Sequence, residues 1–125
     1  MNPKKKILIV EDDDGSRKLM SIVLGRSGYE ILEAADGAAA IEATWANQPV
    51  DLIIMDLELP GLTGSEVIRR LKKNPSTSRI PVLVTTSFDR GTPLVLQAIE
   101  AGADKILYKP TPMNILIEAV RQYLS

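Results

Sequence analysis

The sequence predicts an α/β fold, a doubly wound sheet of five parallel strands in the order 2-1-3-4-5, covered by five helices. Short apolar runs alternate with amphipathic segments along the chain, as in successive βαβ units. The runs are continuously apolar, which is typical of strands that helices bury on both faces. With right-handed crossovers, the order 2-1-3-4-5 is one of the two common arrangements of such a sheet.

Composition and charge limit the classes of function. The 125 residues suffice for one domain, and we expect a single domain over residues 1–125 with no output domain. With 45% hydrophobic residues and a net charge of −1, the chain gives no electrostatic reason to expect a nucleic-acid or membrane partner. We expect a cytoplasmic protein, because the apolar run behind the basic start is too short for a signal peptide. Since cysteine and histidine are absent, any chemistry must use carboxylates, hydroxyls and ammonium groups.

The first strand is predicted at residues 7–10, directly before four consecutive acids. Asp13 and Asp14 are negative charges suited to the N-terminus of the helix that follows, and Ser27-Gly28 ends this helix. Its positions with helical spacing are Leu19, Ile22, Val23 and Arg26.

A weaker strand, expected at an edge of the sheet, is predicted at residues 29–34. Asp36-Gly37 then caps an alanine-rich helix that runs to about Asn47. Ile41 and Trp45 lie four residues apart on its apolar stripe, and we expect Trp45 to serve in packing.

The central strand is predicted at residues 52–55 and ends in Asp56, with a Pro60-Gly61 breaker behind it. A helix is predicted over residues 64–73. Its apolar face consists of Val67, Ile68 and Leu71.

The last two units follow the same plan. The fourth strand is predicted at residues 80–84, and Thr92 with Pro93 begins a helix that reaches Ala101-Gly102. The fifth strand is predicted at residues 105–108. The final helix has its buried stripe at Met113, Leu116, Ile117, Val120 and Leu124.

Polar side chains follow four of the strands and should meet at one edge of the sheet. Glu11 and Asp12 follow the first strand, Asp56 the third, Thr86 the fourth and Lys109 the fifth. Ligands bind at this edge, where the strand order reverses between strands one and three. Three crowded carboxylates need a cation, and oxygen ligands alone favour Mg²⁺. Together with the hydroxyl and the ammonium group, they suit phosphoryl transfer.

On these residues the chain resembles the receiver domain of two-component response regulators, of the single-domain chemotaxis-regulator type. The resemblance covers essentially the whole chain. Its motifs are Ile9-Val10-Glu11-Asp12, Asp56 with Leu59-Pro60-Gly61 and Gly64, residues 81–86 ending in Thr86, and Lys109-Pro110 behind Gly102-Ala103-Asp104.

The resemblance implies that Asp56 is the phosphoacceptor, which forms an aspartyl phosphate. It also implies that Asp12, Asp56 and the backbone carbonyl of Glu58 bind Mg²⁺ directly, with Glu11 acting mostly through a metal-bound water. The Glu58 carboxylate stands at a variable position of the family. It either hinders an anionic donor or alters the hydrolysis of the aspartyl phosphate, and the sequence does not give the sign.

The resemblance further implies that Thr86 and Lys109 bind phosphoryl oxygens and that the Lys109–Pro110 peptide is cis. Ser87 stands where the family prefers alanine or glycine, and it should still admit the phosphoryl group. Ile106 replaces the aromatic residue that normally turns inward as the threonine moves. Because isoleucine has a stiff χ1 and no polar tip, that readout cannot operate here.

The expected partners are a sensor histidine kinase or phosphotransfer protein as donor, and a downstream protein bound by the fourth helix, fifth strand and fifth helix. The only reactions expected are self-phosphorylation and self-dephosphorylation, so the chain is not predicted to be an enzyme. Two alternatives stay open: a degenerate receiver that binds partners without phosphorylation, and a phosphatase of the haloacid-dehalogenase type. A flavodoxin-like FMN protein is excluded, because four acids replace its phosphate loop.

Overall fold

The computed structural model describes residues 3–124, which form one five-stranded parallel sheet in the order β2-β1-β3-β4-β5. The strands are β1 Lys6–Val10, β2 Glu30–Ala34, β3 Leu52–Asp56, β4 Val82–Thr86 and β5 Lys105–Tyr108. The helices are α1 Asp14–Arg26, α2 Gly37–Ala46, α3 Gly64–Lys73, α4 Pro93–Ala101 and α5 Met113–Leu124. The predicted fold class and strand order are confirmed. The predicted domain also included Met1, Asn2 and Ser125, which lie outside the described residues.

Alternate residues of the central strands face two apolar layers on opposite sides of the sheet. One layer packs Leu8, Val10, Ile53, Met55, Val82 and Val84 against Ile41, Val67, Ile68, Leu71 and Val95 of α2, α3 and α4. The other packs Ile7, Ile9, Leu52, Ile54, Leu83 and Leu107 against Met20, Leu24, Leu116, Ala119 and Val120 of α1 and α5. Because both faces are apolar, polar side chains can gather only at the strand ends.

Side-chain caps begin α1 and α2; the Asp36 cap was predicted, whereas Asp13 was predicted only as a charge at the N-terminus of its helix. The Asp13 carboxylate accepts a hydrogen bond from the Ser16 amide at 2.8 Å, and the Asp36 carboxylate accepts one from the Ala39 amide at 2.8 Å. Thr92 occupies the cap position of α4, but its side chain makes no capping hydrogen bond.

The exposed and buried faces of α1 differ from the predicted spacing. Leu19 and Ile22 are 52% and 51% exposed, whereas Met20 and Leu24 are buried against the sheet. Apolar spacing alone fits more than one rotation of this helix, and the packing against β1, β2 and α5 selects the face that carries Met20 and Leu24.

The prediction that Trp45 serves in packing is wrong, because its side chain is 51% exposed. The buried face of α2 is made of Ala40, Ile41 and Thr44, and the Thr44 hydroxyl donates to the Ala40 carbonyl at 2.7 Å. These smaller side chains let the helix lie close to the sheet, and the Trp45 indole lies at the edge of the buried face, half exposed to solvent.

Two strands begin later than predicted. β4 begins at Val82, because Pro81 has no amide to donate to a neighbouring strand, and β2 begins at Glu30. Across residues 3–124, no helix combines the length and the apolar character that a membrane crossing requires.

Candidate acidic site at the carboxyl edge of the sheet

The register of the sheet brings the predicted site residues together. Val10 pairs with Met55, so Glu11 and Asp12 emerge beside Asp56 at the end of β3. Farther along the same edge, Thr86 is paired with Tyr108, the residue before Lys109. Four strand ends therefore contribute polar groups to one crevice, at the point where the strand order reverses.

Three carboxylates form a cluster that can bind a divalent cation. One oxygen from each of Glu11, Asp12 and Asp56 lies within 4.8 Å of the others. Glu11 and Asp56 are only 3% and 4% exposed, while Asp12 is exposed. Buried carboxylates at this separation repel one another, and a hard cation with oxygen ligands relieves that repulsion. The donor set therefore fits Mg²⁺.

Lys109 supplies the positive charge at this site. Its Nζ atom lies 2.9 Å from Asp56 Oδ2 and 3.6 Å from Glu11 Oε1. Burial lowers the pKa of the Lys109 ammonium, but the hydrogen bond and the charges of Asp56 and Glu11 outweigh this and raise it. Lys109 therefore stays charged beside Asp56, and the peptide between it and Pro110 is cis as the resemblance implied.

Burial is the main reason that the Asp56 carboxyl resists ionisation. It raises the pKa of Asp56 to about 7, with further contributions from the neighbouring carboxyl groups of Glu58 and Glu11. The hydrogen bonds from the Lys109 ammonium and from the Glu58 amide, at 2.9 and 3.0 Å, act in the opposite direction. Without a metal, Asp56 therefore sits in an environment that disfavours its charge.

Glu58 contacts the end of β4, a feature that the sequence did not reveal. Its Oε1 atom accepts hydrogen bonds from the Ser87 amide, at 3.0 Å, and from the Ser87 hydroxyl. Burial opposes ionisation of Glu58, but the Asp56 carboxyl and the hydrogen bonds from Ser87 outweigh it and lower the pKa of Glu58. The carboxylate of Glu58 is therefore charged and held across the mouth of the site.

Thr86 and Ile106 lie on the neighbouring strands β4 and β5, two positions apart in register, since Ile106 pairs with Val84 and Thr86 pairs with Tyr108. The Thr86 hydroxyl is buried and accepts a hydrogen bond from the Phe88 amide at 3.0 Å. Ile106 is partly buried among the residues that α4 covers. Its side chain is on the same face of β5 as Tyr108, over whose ring the Arg90 guanidinium lies at 4.4 Å.

Arg17 also belongs to the surroundings of the site, although the sequence analysis missed it. Its side chain is 13% exposed, and it donates to the backbone carbonyl of Glu11 at 2.7 Å and to the Glu33 carboxylate at 3.0 Å. The guanidinium thereby fixes the loop that carries the acidic pair. The only signal in the sequence was an arginine five positions after Asp12. An ordinary exposed arginine on a helix would look the same in the sequence, so this signal could not identify Arg17.

A doubly wound domain with this acidic crevice and its lysine has the architecture of the receiver class. Residues 7–121 match the family model described as the response regulator receiver domain. The chain belongs to this family. Receiver domains belong to two-component signal transduction and are generally phosphoacceptors without enzymatic activity of their own.

Three relatives illustrate the range of the similarity. A cyclic di-GMP phosphodiesterase of Thermotoga maritima is 40% identical, over 88% of this chain and 28% of that protein. Sporulation initiation phosphotransferase F of Bacillus subtilis is 32% identical, over 96% of this chain and 94% of that protein. The receiver domain of a sensor histidine kinase from Pseudomonas aeruginosa PAO1, solved with magnesium in its active site cleft, has a TM-score of 0.87 and 25% identity and covers 98% of both chains.

The chain spans only 25% to 28% of the first curated relatives that it matches. The single-domain organisation expected from the sequence therefore stays a prediction.

Proposed function

We propose that Asp56 is the phosphoacceptor of this receiver domain and that Mg²⁺ is its cofactor. The observation that carries the proposal is the meeting of three carboxylates with the Lys109 ammonium, 2.9 Å from Asp56 Oδ2. Asp12, Asp56 and the backbone carbonyl of Glu58 would ligate the metal directly, and Glu11 would act through metal-bound water. The magnesium named for the Pseudomonas relative supports this choice of ion.

The chemistry is an in-line phosphoryl transfer to a carboxylate. An Asp56 oxygen attacks the phosphorus of a phosphohistidine, the P–N bond breaks as the P–O bond forms, and the imidazole nitrogen keeps the electron pair. Mg²⁺, when bound, neutralises charge on the phosphoryl oxygens. Lys109 pairs with one oxygen, and the Thr86 hydroxyl and Ser87 are positioned at the end of β4 to contact another.

A phosphohistidine donor would lie outside these 125 residues, because they contain no histidine. A sensor histidine kinase or a phosphotransfer protein supplies it, and a small acyl phosphate can substitute in the test tube. After transfer, the chain itself catalyses only the loss of its own phosphoryl group.

The signal is proposed to leave through the face formed by α4, β5 and α5. On α4 and α5, the apolar side chains of Leu96, Ile99 and Ile115 are half exposed. Movement of Thr86 toward the phosphoryl group would draw the loop over residues 87–92 with it and so reshape α4. A downstream protein that recognises this face would then bind according to the phosphorylation state.

Labelling by acetyl phosphate tests the proposal. The wild type should gain one phosphoryl group that base and hydroxylamine remove, as expected of an acyl phosphate, and only with Mg²⁺ present; Asp56→Asn should gain none. Asp89→Asn, which removes an exposed acid from the loop after β4, is the matched control and should be labelled like the wild type. Labelling of Asp56→Asn at the wild-type level, or labelling that survives chelation of Mg²⁺, would contradict the proposal.

The two alternatives receive less support. A phosphorylation-independent binding module rests only on Ile106, whereas every group needed for phosphoryl transfer is present in the crevice. The alternative of a haloacid-dehalogenase-type phosphatase is wrong, because the chain belongs to the receiver family instead.

A further inference from the structure

The Glu58 side chain joins the two loops that border the phosphoacceptor. Its backbone amide donates to Asp56 Oδ1 at 3.0 Å, while its carboxylate accepts from the amide and hydroxyl of Ser87. One residue therefore contacts both the reacting carboxylate and the first residue after β4.

The sheet register explains why these groups meet. Asp56 pairs with Thr85, and the Leu57 amide continues the ladder by donating to the Thr85 carbonyl at 2.9 Å. Glu58 and Ser87 are each two residues beyond the paired positions, so they face each other past the strand ends. The contact follows from the chain path and does not require an unusual loop conformation.

A phosphoryl group on Asp56 needs hydrogen-bond donors in this corner. It carries three oxygens beyond the aspartyl oxygen; a bound Mg²⁺ and the Lys109 ammonium would neutralise charge on two of them, which leaves the third for donors at the end of β4. Two donors lie on the β4 side: the Thr86 hydroxyl, whose O–H is still free to donate while its oxygen accepts from the Phe88 amide, and the backbone amide of Ser87, whose position is fixed. In the unphosphorylated chain, however, the Ser87 amide already donates its hydrogen bond to the Glu58 carboxylate.

We propose that the Glu58 carboxylate occupies the position of one phosphoryl oxygen in the unphosphorylated chain. Its hydrogen bonds to Ser87 must break before a phosphoryl group on Asp56 can bind there. The inference rests on the proposed function of Asp56. A phosphoryl dianion and the Glu58 carboxylate compete for the Ser87 amide, and their like charges repel at close range. Glu58 therefore sets how readily the site accepts an anionic donor.

The second oxygen of Glu58 shows that the carboxylate is not fully satisfied where it lies. Among the described residues, Oε2 is buried and has no hydrogen-bond partner. A buried carboxylate oxygen without a partner costs free energy. The hydrogen bonds that Oε1 accepts from Ser87 are therefore partly offset by the cost of burying Oε2. Displacement by a phosphoryl oxygen returns Glu58 to water, and it breaks the link between the loops after β3 and β4.

The test compares Glu58→Ala and Glu58→Gln with the wild type and with Glu42→Gln, an exposed acid on α2. The first readout is the affinity for beryllofluoride, a phosphoryl analogue, at saturating Mg²⁺. Glu58→Ala should bind about tenfold more tightly, since a charged acceptor competes strongly for an amide. Glu58→Gln should gain less, because its amide oxygen still accepts from Ser87 without the charge, and Glu42→Gln should match the wild type.

The second readout needs no phosphorylation. In metal-free protein, the Ser87 amide proton resonance should move upfield in Glu58→Ala, as its charged acceptor is lost, and stay unchanged in Glu42→Gln. Equal or weaker beryllofluoride binding by folded Glu58→Ala, or an unmoved Ser87 amide, would overturn the assignment to Glu58 while the function of Asp56 stands. Failure of every protein, the wild type included, to bind beryllofluoride would overturn both.

Discussion

Asp56→Asn should stabilise the metal-free protein, because it removes a buried charge that the fold holds unfavourably. The pKa of Asp56 is raised from 3.8 to about 7 in the folded chain, and the side chain is 4% exposed. A carboxyl group whose pKa rises on folding favours the folded state while it is protonated. That stabilisation is complete below the unfolded pKa of 3.8 and is lost as the pH rises through the folded pKa of about 7.

The magnitude follows from the size of the rise. At about 1.4 kcal/mol per pKa unit, a rise of about three units corresponds to at most about 4 kcal/mol at pH 8. The rise is already net of the hydrogen bond from Lys109. Asparagine keeps the shape of the side chain but has one acceptor oxygen instead of two, so either the Lys109 ammonium or the Glu58 amide loses its acceptor, at a cost of about 2 kcal/mol. We therefore expect a gain of about 2 kcal/mol in the free energy of unfolding at pH 8, shrinking toward zero or reversing near pH 4.

Urea unfolding in EDTA, followed by far-UV circular dichroism from pH 4 to 8, measures this difference. Asp89→Asn is the control for loss of an exposed acid and should follow the wild type. Mg²⁺ should stabilise the wild type in proportion to its occupancy and have a smaller effect on Asp56→Asn. A difference that does not depend on pH, or an Asp56→Asn variant that is less stable at pH 8, would refute this account of Asp56.

The remaining predictions concern the metal and the output. Asp12→Ala should lower the Mg²⁺ affinity by more than about 10- to 100-fold in calorimetry, since a direct ligand matters more than an outer contact; an unchanged affinity would exclude Asp12 as a ligand. Arg17→Met should lower the same affinity about tenfold with every ligand in place, because the Glu11 carbonyl loses its donor; wild-type affinity would refute that role. Thr86→Ala and Lys109→Ala should retain the circular dichroism spectrum but weaken the dependence of partner binding on beryllofluoride. If partner binding were unaffected both in Thr86→Ala and in Ile106→Tyr, output would not pass through the proposed face.

The amino-acid sequence alone determined the fold and the composition of the site. The continuous apolar runs at residues 7–10 and 52–55 predicted buried strands, and both lie in the core of the sheet. Since parallel strands point the same way, their terminal side chains had to converge, and Glu11, Asp12 and Asp56 do so. This part was predictable because it depends on periodicity and strand direction, which are local properties of the chain.

The tertiary structure alone decided how side chains are used between elements. Leu19 and Trp45 have the right spacing for burial, yet both are half exposed, because the rotation of a helix depends on what packs against it. The contact of Glu58 with Ser87 joins residues 29 positions apart in the sequence, and no local pattern marks it. It arises where the ends of β3 and β4 lie side by side, so the direction of a loop carboxylate is set by its neighbours in space.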